Sequence, residues 1–411
     1  MRCLLPALGL GLGLGLGLSS LSSAAQPRLT VHAGDHDRQD CPVSFDWPHG
    51  GGAWVLRTPE GRLLPIQRSG NLAWYVEPGL PRGTTRQYPL LPVPPSDAEA
   101  PAQGARATHR NQNLTLSLGD RPVLTYLAGP GELPREAIPE AFRRGGYLHP
   151  VHTPSGRIVT DDYPPNHIHH HGFWWSWPRT VFEERRPDFW NMGEQRGRTD
   201  FEALDAFEHG PVFASLHARQ VFTDVLVDPP RIALRETWEI RLFALSPRAG
   251  VHLFDLNSSQ SVPDASAVLF PRYYYGGFAF RGPWAWNGPA AARYLDANGV
   301  TNRVAANETR ARWFWLGGTV EDALSGVAVL GHPTNFRAPQ PLRVHPREPF
   351  VCWTPSQLGD WSIQPDSPLH SRYRIVTLDG EPDPARIEAL WHDFATPPLA
   401  VLEGSLVPAD P

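Results

Sequence analysis

The chain predicts a mostly β protein, a large antiparallel two-sheet sandwich with a small N-terminal β region. Three observations carry this. Short runs with period-2 alternation recur along the chain, and RIALRETWEIRLFA at Arg231–Ala244 is the clearest. Proline (45 residues) and glycine (37) are abundant, as short strands joined by turns require. Only Pro384–Phe394 (PARIEALWHDF) reads as a convincing helix, with proline in its first turn. A chain of 411 residues can bury a sizeable core as one large β domain or as two domains.

In order, Met1–Ala25 reads as a secretory signal. Arg2 supplies the positive charge, Leu4–Leu18 the apolar run, and Ser23-Ala24-Ala25 the small residues before Gln26. The run is too short for a membrane span, and no later one approaches about 18 residues. The mature chain is therefore expected to be exported, periplasmic or extracellular, with no membrane span. Residues 26–91 hold the short strands LTVHA, PVSFDW, AWVLRT, RLLPIQ and LAWYV. Residues 92–110, rich in proline and alanine, read as a linker. Residues 111–396 form the main β domain, and 397–411 a C-terminal tail. Within the main domain, strands are expected at NLTLSL, PVLTYL, Val212–Val227 (with a break), Arg231–Ala244, Val251–Leu256, Tyr273–Phe280, Arg312–Leu316, Gly326–Leu330 and Tyr373–Leu378.

Composition excludes several classes. A net charge of −5 and a pI near 6.4 give no basic footprint for nucleic acid. All 37 basic residues are arginines, so Schiff-base and P-loop lysines are out. There is no GxSxG, HExxH, Walker or Rossmann signature. Cys41 and Cys352 are the cysteines beyond the leader. A disulfide between them and two free buried thiols are both open.

The chemistry concentrates in Tyr147–Trp177, YLHPVHTPSGRIVTDDYPPNHIHHHGFWWSW. It carries His149, His152, His167, His169, His170 and His171, with Asp161 and Asp162 upstream and aromatics downstream. Titratable groups beside large aromatics describe a pocket better than a core. If Asn166–Trp175 is extended, His167, His169 and His171 share one face, with Ile168, His170 and Trp174 on the other. Three imidazoles on one face could ligate a metal, or serve as acid and base near neutral pH. A divalent metal is possible there and none is required. Of the adjacent aspartates only one enters the pocket from a strand. Alternatively, both cap a turn.

Arg157 follows a hairpin turn at Thr153–Gly156 and is a candidate clamp for a carboxylate or sugar hydroxyls, or else a surface residue. Asp188 and Asn191 beside Trp190 suit a sugar-facing loop, or a turn around a buried tryptophan. Glycines inside Tyr274–Arg281 mark a bulge or a close ligand approach. His332–Arg337 sits where strand GVAVL meets a loop, and an irregular strand end is the plainer alternative.

The blocks HPVHTPSGRIVTDDYPPNHIHHHG, DFWNMG, YYYGGFAFRG, GVAVLGHPTNFR and SRYRIVTLDG resemble a bacterial family of unknown function that carries the label "methane oxygenase PmoA". The likeness runs from about Leu114 to Gly380, and leaves Gln26–Arg106 uncovered. It implies a secreted, sugar-associated protein with a fold similar to the galactose-mutarotase-type β-supersandwich. The family commonly has arginine at the position of His171 and aspartate at that of Gly331. An arginine cannot ligate a metal, so the likeness counts against a metal held through His171.

Together these give an exported carbohydrate-active enzyme working by His/Asp acid–base chemistry on a sugar or glycoside. Epimerisation, elimination and hydrolysis all need such groups around a sugar carbon. His167, His169, His170 and Asp162 are the expected catalytic groups, with His149 and His332 as partners. Arg157, His171, Trp174, Asp188, Asn191, Arg281, Asn335 and Arg337 are the expected ligand contacts. The alternatives are a metal-dependent oxidoreductase or hydrolase built on His167–His171, as the family label suggests, and a non-catalytic carbohydrate-binding protein.

Overall fold

The computed structural model describes residues 26–48, 52–93, 104–129 and 131–404. The expected signal Met1–Ala25, residues 94–103 of the expected linker and 405–411 of the expected tail lie outside them.

Alternation in the sequence becomes two faces of a sheet. In Arg231–Phe243 the residues Leu234, Glu236, Trp238, Ile240 and Leu242 are buried, while Arg235, Thr237, Glu239 and Arg241 are not. Strands of this kind assemble into two eight-stranded antiparallel sheets. The front sheet runs Leu342–Val344, Phe350–Trp353, Gly277–Arg281, Phe173–Ser176, Tyr147–Val151, Arg121–Leu127, Asn113–Leu118, Ala105–Arg110. The rear sheet runs Gly197–Glu208, Phe213–Asp224, Arg231–Phe243, Val251–Ser261, Leu369–Asp379, Ala323–Gly331, Trp313–Val320, Ala292–Asp296. The break expected in Val212–Val227 is absent, because Phe213–Asp224 is one continuous strand.

The main core lies between these sheets. Phe173, Trp175, Phe278 and Phe280 of the front meet Trp238, Phe254 and Tyr373 of the rear. Phe278 stacks on Tyr373 at 4.5 Å, and Phe173 meets Phe254 edge-on at 6.3 Å. Such aromatic pairs contribute about 0.5–1.5 kcal/mol each beyond the area they bury. Because Phe173 and Trp175 point inward, Trp174 must point outward. It joins Tyr147, Trp190, Ala279, Phe350 and Cys352 in a second aromatic cluster on the outer face of the front sheet.

Two glycines are required by close approach. A Cβ on Gly172 would stand 2.2 Å from the Leu148 carbonyl oxygen, just where the chain enters the front sheet. One on Gly277, whose φ is +111°, would stand 2.3 Å from the Trp353 carbonyl oxygen. The glycine expected to admit a ligand thus admits a neighbouring strand.

The N-terminal region forms two smaller sheets around Leu29, Val43, Phe45, Tyr75 and Tyr88. One includes Leu399–Glu403, read from sequence as tail, which pairs along Arg28–His32. Ala105–Arg110, read as linker, is the edge strand of the front sheet. The helix Pro384–Ala395 forms as expected, with the Asp383 carboxylate accepting from Ala385 N and Arg386 N. It lays Ile387 and Leu390 against Trp313, Leu330 and Val376 of the rear sheet. Arg38 donates to Asp393 at 2.9 Å, with both side chains 2% exposed, tying the N-terminal region to the helix. Cys41 and Cys352 are both buried and free. No helix among the described residues is long and apolar enough to cross a membrane.

Candidate active site on the outer face of the front sheet

Of Asn166–Trp175, expected to be extended, only Phe173–Trp175 is strand, and Asp161–Gly172 is irregular. Two tight turns, His167 N to Pro164 O at 3.0 Å and His170 N to His167 O at 2.8 Å, coil it ahead of Phe173. Pro164-Pro165 removes two ladder donors and starts the first turn. The predicted three-imidazole face therefore does not form. Among the described residues no group of three or more His, Cys, Asp or Glu side chains is arranged to hold a metal ion.

The coil instead gathers the imidazoles, with His167 stacked on His170 and His169 edge-on to both. His167 lies 4.7 Å from His170 and 5.6 Å from His169, and His169 lies 4.7 Å from His170. His170, expected to be catalytic, is buried and sandwiched between the His167 ring and the Phe350 ring, both at 4.7 Å. It is a spacer. Trp174, expected to touch ligand, is likewise fully buried, packed on His170 and Trp190 at 5.2 Å each.

Two polar networks flank this stack. In the first, Asp162 accepts from the Tyr147 hydroxyl at 2.9 Å and from His171 Nδ1 at 2.6 Å. His171, expected to touch ligand, is 1% exposed and holds Asp162, while Asp162 keeps 16% exposure. Donation from Nδ1 leaves the lone pair of His171 on Nε2. Burial pushes the Asp162 carboxyl up to about 6, although His149 nearby and the Tyr147 bond oppose it. Asp161 does not hold this network and lies near Arg281 instead. Its Oδ1 accepts from the Asp162 backbone N at 2.9 Å. His149 sits on the adjoining strand, held through Nδ1 by the Thr160 hydroxyl at 2.9 Å.

In the second network, the fully buried Arg281 donates to Glu348 at 2.6 Å and to Asn166 and Asn287 at 3.3 and 3.2 Å. His167 Nδ1 stands 2.9 Å from Glu348. His345 closes the group, 6.4 Å from His167. Its Nδ1 accepts from the backbone N of Glu348 at 3.0 Å. Burial lowers His149, His170 and His171, and lowers His169 and His345 to about 4. Burial opposes ionisation of Glu348, but His167 and Arg281 outweigh it and hold the carboxyl at about 2. At neutral pH the site therefore holds neutral imidazoles at His149, His169 and His345 with two carboxylates, a set able to take up and return a proton.

The other expected residues lie elsewhere. Arg157 does follow the Thr153–Gly156 turn, but it pairs with Asp379 at 3.2 Å, across the sandwich. His332 contacts Thr334, Arg372 and Phe394, none of them in the histidine group. Asn335 clamps the backbone of Arg372, accepting from its N and donating to its O at 2.8 Å each. Arg337 donates to the carbonyls of Pro355 and Gly359. Asp188 accepts from Trp190 N, Asn191 N and Asn191 Nδ2, each at 2.8 Å, so it builds the turn. Asn191 also reaches the Tyr275 hydroxyl at 3.2 Å. Tyr147, His345 and Glu348 were missed. His345-Pro346 repeats the His–Pro step of His149-Pro150 and His332-Pro333, and that step was the available signal.

Three solved structures share a distant likeness. An alpha-mannosidase from Enterococcus faecalis V583 is 9% identical with a TM-score of 0.39, over 92% of this chain and 46% of that one. A protein in the glycosyl hydrolase family 38 from Enterococcus faecalis is 10% identical with a TM-score of 0.38, over 92% and 47%. The heparan sulfate lyase HepC from Pedobacter heparinus is 10% identical with a TM-score of 0.31, over 69% and 36%. The chain spans less than half the length of each, and likenesses this weak carry no argument. A search among curated proteins found no relative. A family profile, by contrast, matches residues 113–392, which hold the whole histidine site and both large sheets except the edge strand Ala105–Arg110. The chain belongs to that family, a family of unknown function designated DUF6807.

Proposed function

We propose that the chain is an exported carbohydrate-active enzyme, with Asp162 and His169 as its acid–base groups and His149 beside them. One observation carries this. Asp162 is a partly exposed carboxyl with both oxygens held by buried donors, beside His149, whose imidazole burial keeps neutral. A buried dyad that orients an accessible carboxyl is poised to exchange protons with a bound molecule. Tyr147 and His171 are positioning residues, as are Arg281 and Glu348.

Aromatic surface nearby supports a sugar as that molecule. Trp284 is 50% exposed and Tyr274 47%. Trp284 belongs to the turn whose Asn287 holds Arg281. Exposed aromatic faces beside polar groups suit a pyranose, apolar on its faces and polar at its rim. The supersandwich assignment and the periplasmic or extracellular location belong to this same proposal, from the sequence resemblance and the apolar leader. Epimerisation, elimination and hydrolysis all fit the set.

A turnover screen over oligosaccharides, with Asp162→Asn in parallel, tests it. Product formed by the native chain and lost in the variant supports the reading. Equal turnover in both would sink it. Binding without turnover in the native chain would leave a carbohydrate-binding protein.

A further inference from the structure

Beyond the wall formed by Trp190 and Tyr275 lies a second cleft, of 640 Å³, that the acid–base groups do not use. Trp190 stands between the two, 5.9 Å from His170 on one side and 5.1 Å from Tyr275 on the other. Arg179, Arg186 and Arg196 line the cleft with Asn191, Tyr273 and Tyr275.

The charges in this cleft are unbalanced. Arg179 lies over the Tyr273 ring at 4.5 Å and has no carboxylate partner among the described residues. Arg186 contributes its carbonyl oxygen to Arg196, while its own guanidinium has no carboxylate partner among them either. Arg196 has Glu194 at 3.8 Å, a long and exposed pair. The other carboxylate at the cleft, Asp188, is fully engaged by the Trp190–Asn191 turn. Three guanidinium groups against the carboxylates of Asp188 and Glu194 leave the lining net positive, a field that favours an entering anion. Their planar forks match a carboxylate or a sulfate two bonds at a time. Tyr273, Tyr274 and Tyr275, with ring centres 4.7–4.9 Å apart, add stacking surface at the rim.

We propose that this cleft is a subsite for an acidic saccharide unit, bearing a uronate carboxylate or a sulfate ester, next to the histidine site across Trp190. The inference deepens the carbohydrate reading and depends on it. The arginines select the anion, and the tyrosines take the sugar ring.

Calorimetric titration of the full chain tests this with four probes: a galacturonate hexamer, its carboxyl-reduced neutral counterpart, a heparin hexasaccharide, and inorganic sulfate. At least one acidic oligomer is expected to bind about tenfold or more tighter than the neutral one, less so as salt rises. Whichever acidic probe binds tighter identifies the anion. The Arg179→Ala/Arg186→Ala double variant is expected to lose that preference. Both side chains are exposed and neither has a carboxylate partner among the described residues, so its melting is expected to change little, and Arg186→Gln alone gives a milder check. Equal affinity for acidic and neutral oligomers, an unchanged preference in the double variant, or sulfate alone binding as tightly as the oligomers would overturn the subsite and leave the carbohydrate reading standing. No binding by any saccharide would overturn both.

Discussion

Asp161–Gly172 and Gly331–Gln340 look alike. Both are short, irregular, histidine-bearing segments at the end of a central strand. Yet their polar side chains do different work. In Gly331–Gln340 they mostly hold main chain: Asn335 clamps Arg372, Arg337 gathers carbonyls, and Gln340 donates to Phe336 O at 3.0 Å, while His332 meets the Thr334 and Arg372 side chains and Gln340 accepts from Tyr373. A 180 Å³ cavity lies beside them, walled largely by rings and prolines such as Pro333, Trp353 and Trp391. In Asp161–Gly172 side chain meets side chain, and Asp162, His167 and His169 remain partly exposed. A polar group spent on a buried backbone donor stabilises a loop. One held by another side chain stays free to titrate and to meet a ligand.

This contrast predicts effects in a definite order. Asp162→Asn is expected to cost about 10²–10⁴-fold in kcat/KM, the usual share of a general acid or base. It should do so without loss of stability. Burial raises the Asp162 pKa, so its contribution to stability is full below the unfolded value near 4 and is lost as pH rises through about 6. The ionised carboxylate thus costs about 3 kcal/mol at pH 7, and the amide removes that cost. A variant that both unfolds and loses turnover would place Asp162 with the structural set.

Next comes Glu348→Gln, which leaves the guanidinium of Arg281 buried without its counter-charge. A loss of about 2–3 kcal/mol is expected by urea unfolding, at the low end for a buried pair because Glu348 keeps some exposure. Glu348 is held low, so its stabilisation is present above about 4.3 and fades as pH falls toward 2. The native chain should lose stability in that window more steeply than the variant.

Asn335→Ala is expected to cost about 1–3 kcal/mol, because it strands buried backbone groups of Arg372. Turnover per folded molecule should stay native, and a fall in kcat at full folding would erase the distinction between the two segments. The pH profile of kcat/KM should fall on the acid side near 6 as Asp162 is protonated, and Asp162→Asn should abolish that limb. The smallest effect is expected for His332→Gln, within about 1 kcal/mol of native stability with unchanged turnover.

The sequence was legible where physics is local. Period-2 alternation gave the strands and their buried faces, as in Arg231–Phe243. Asp383 followed by Pro384 gave the helix start. Density of titratable and aromatic residues marked the candidate site around His149–Trp174. The same alternation misled at Asn166–Gly172, though not at Phe173–Trp175, because His167-Ile168-His169 mimics a strand while Pro164-Pro165 has already turned the chain.

What only the tertiary structure decided is non-local. Leu399–Glu403 read as tail because its partner, Arg28–His32, lies at the other end of the chain. Glu348 and His345 joined the site across some 180 residues. Which aspartate of the pair gained partners, and which histidine was stacked between rings, followed from the neighbours that packing supplied: the Tyr147 hydroxyl and His171 as donors to Asp162, the Phe350 ring against His170. Residue type along the chain sets which chemistry is available. Burial and partners, fixed only when the sheets close, decide which groups keep it.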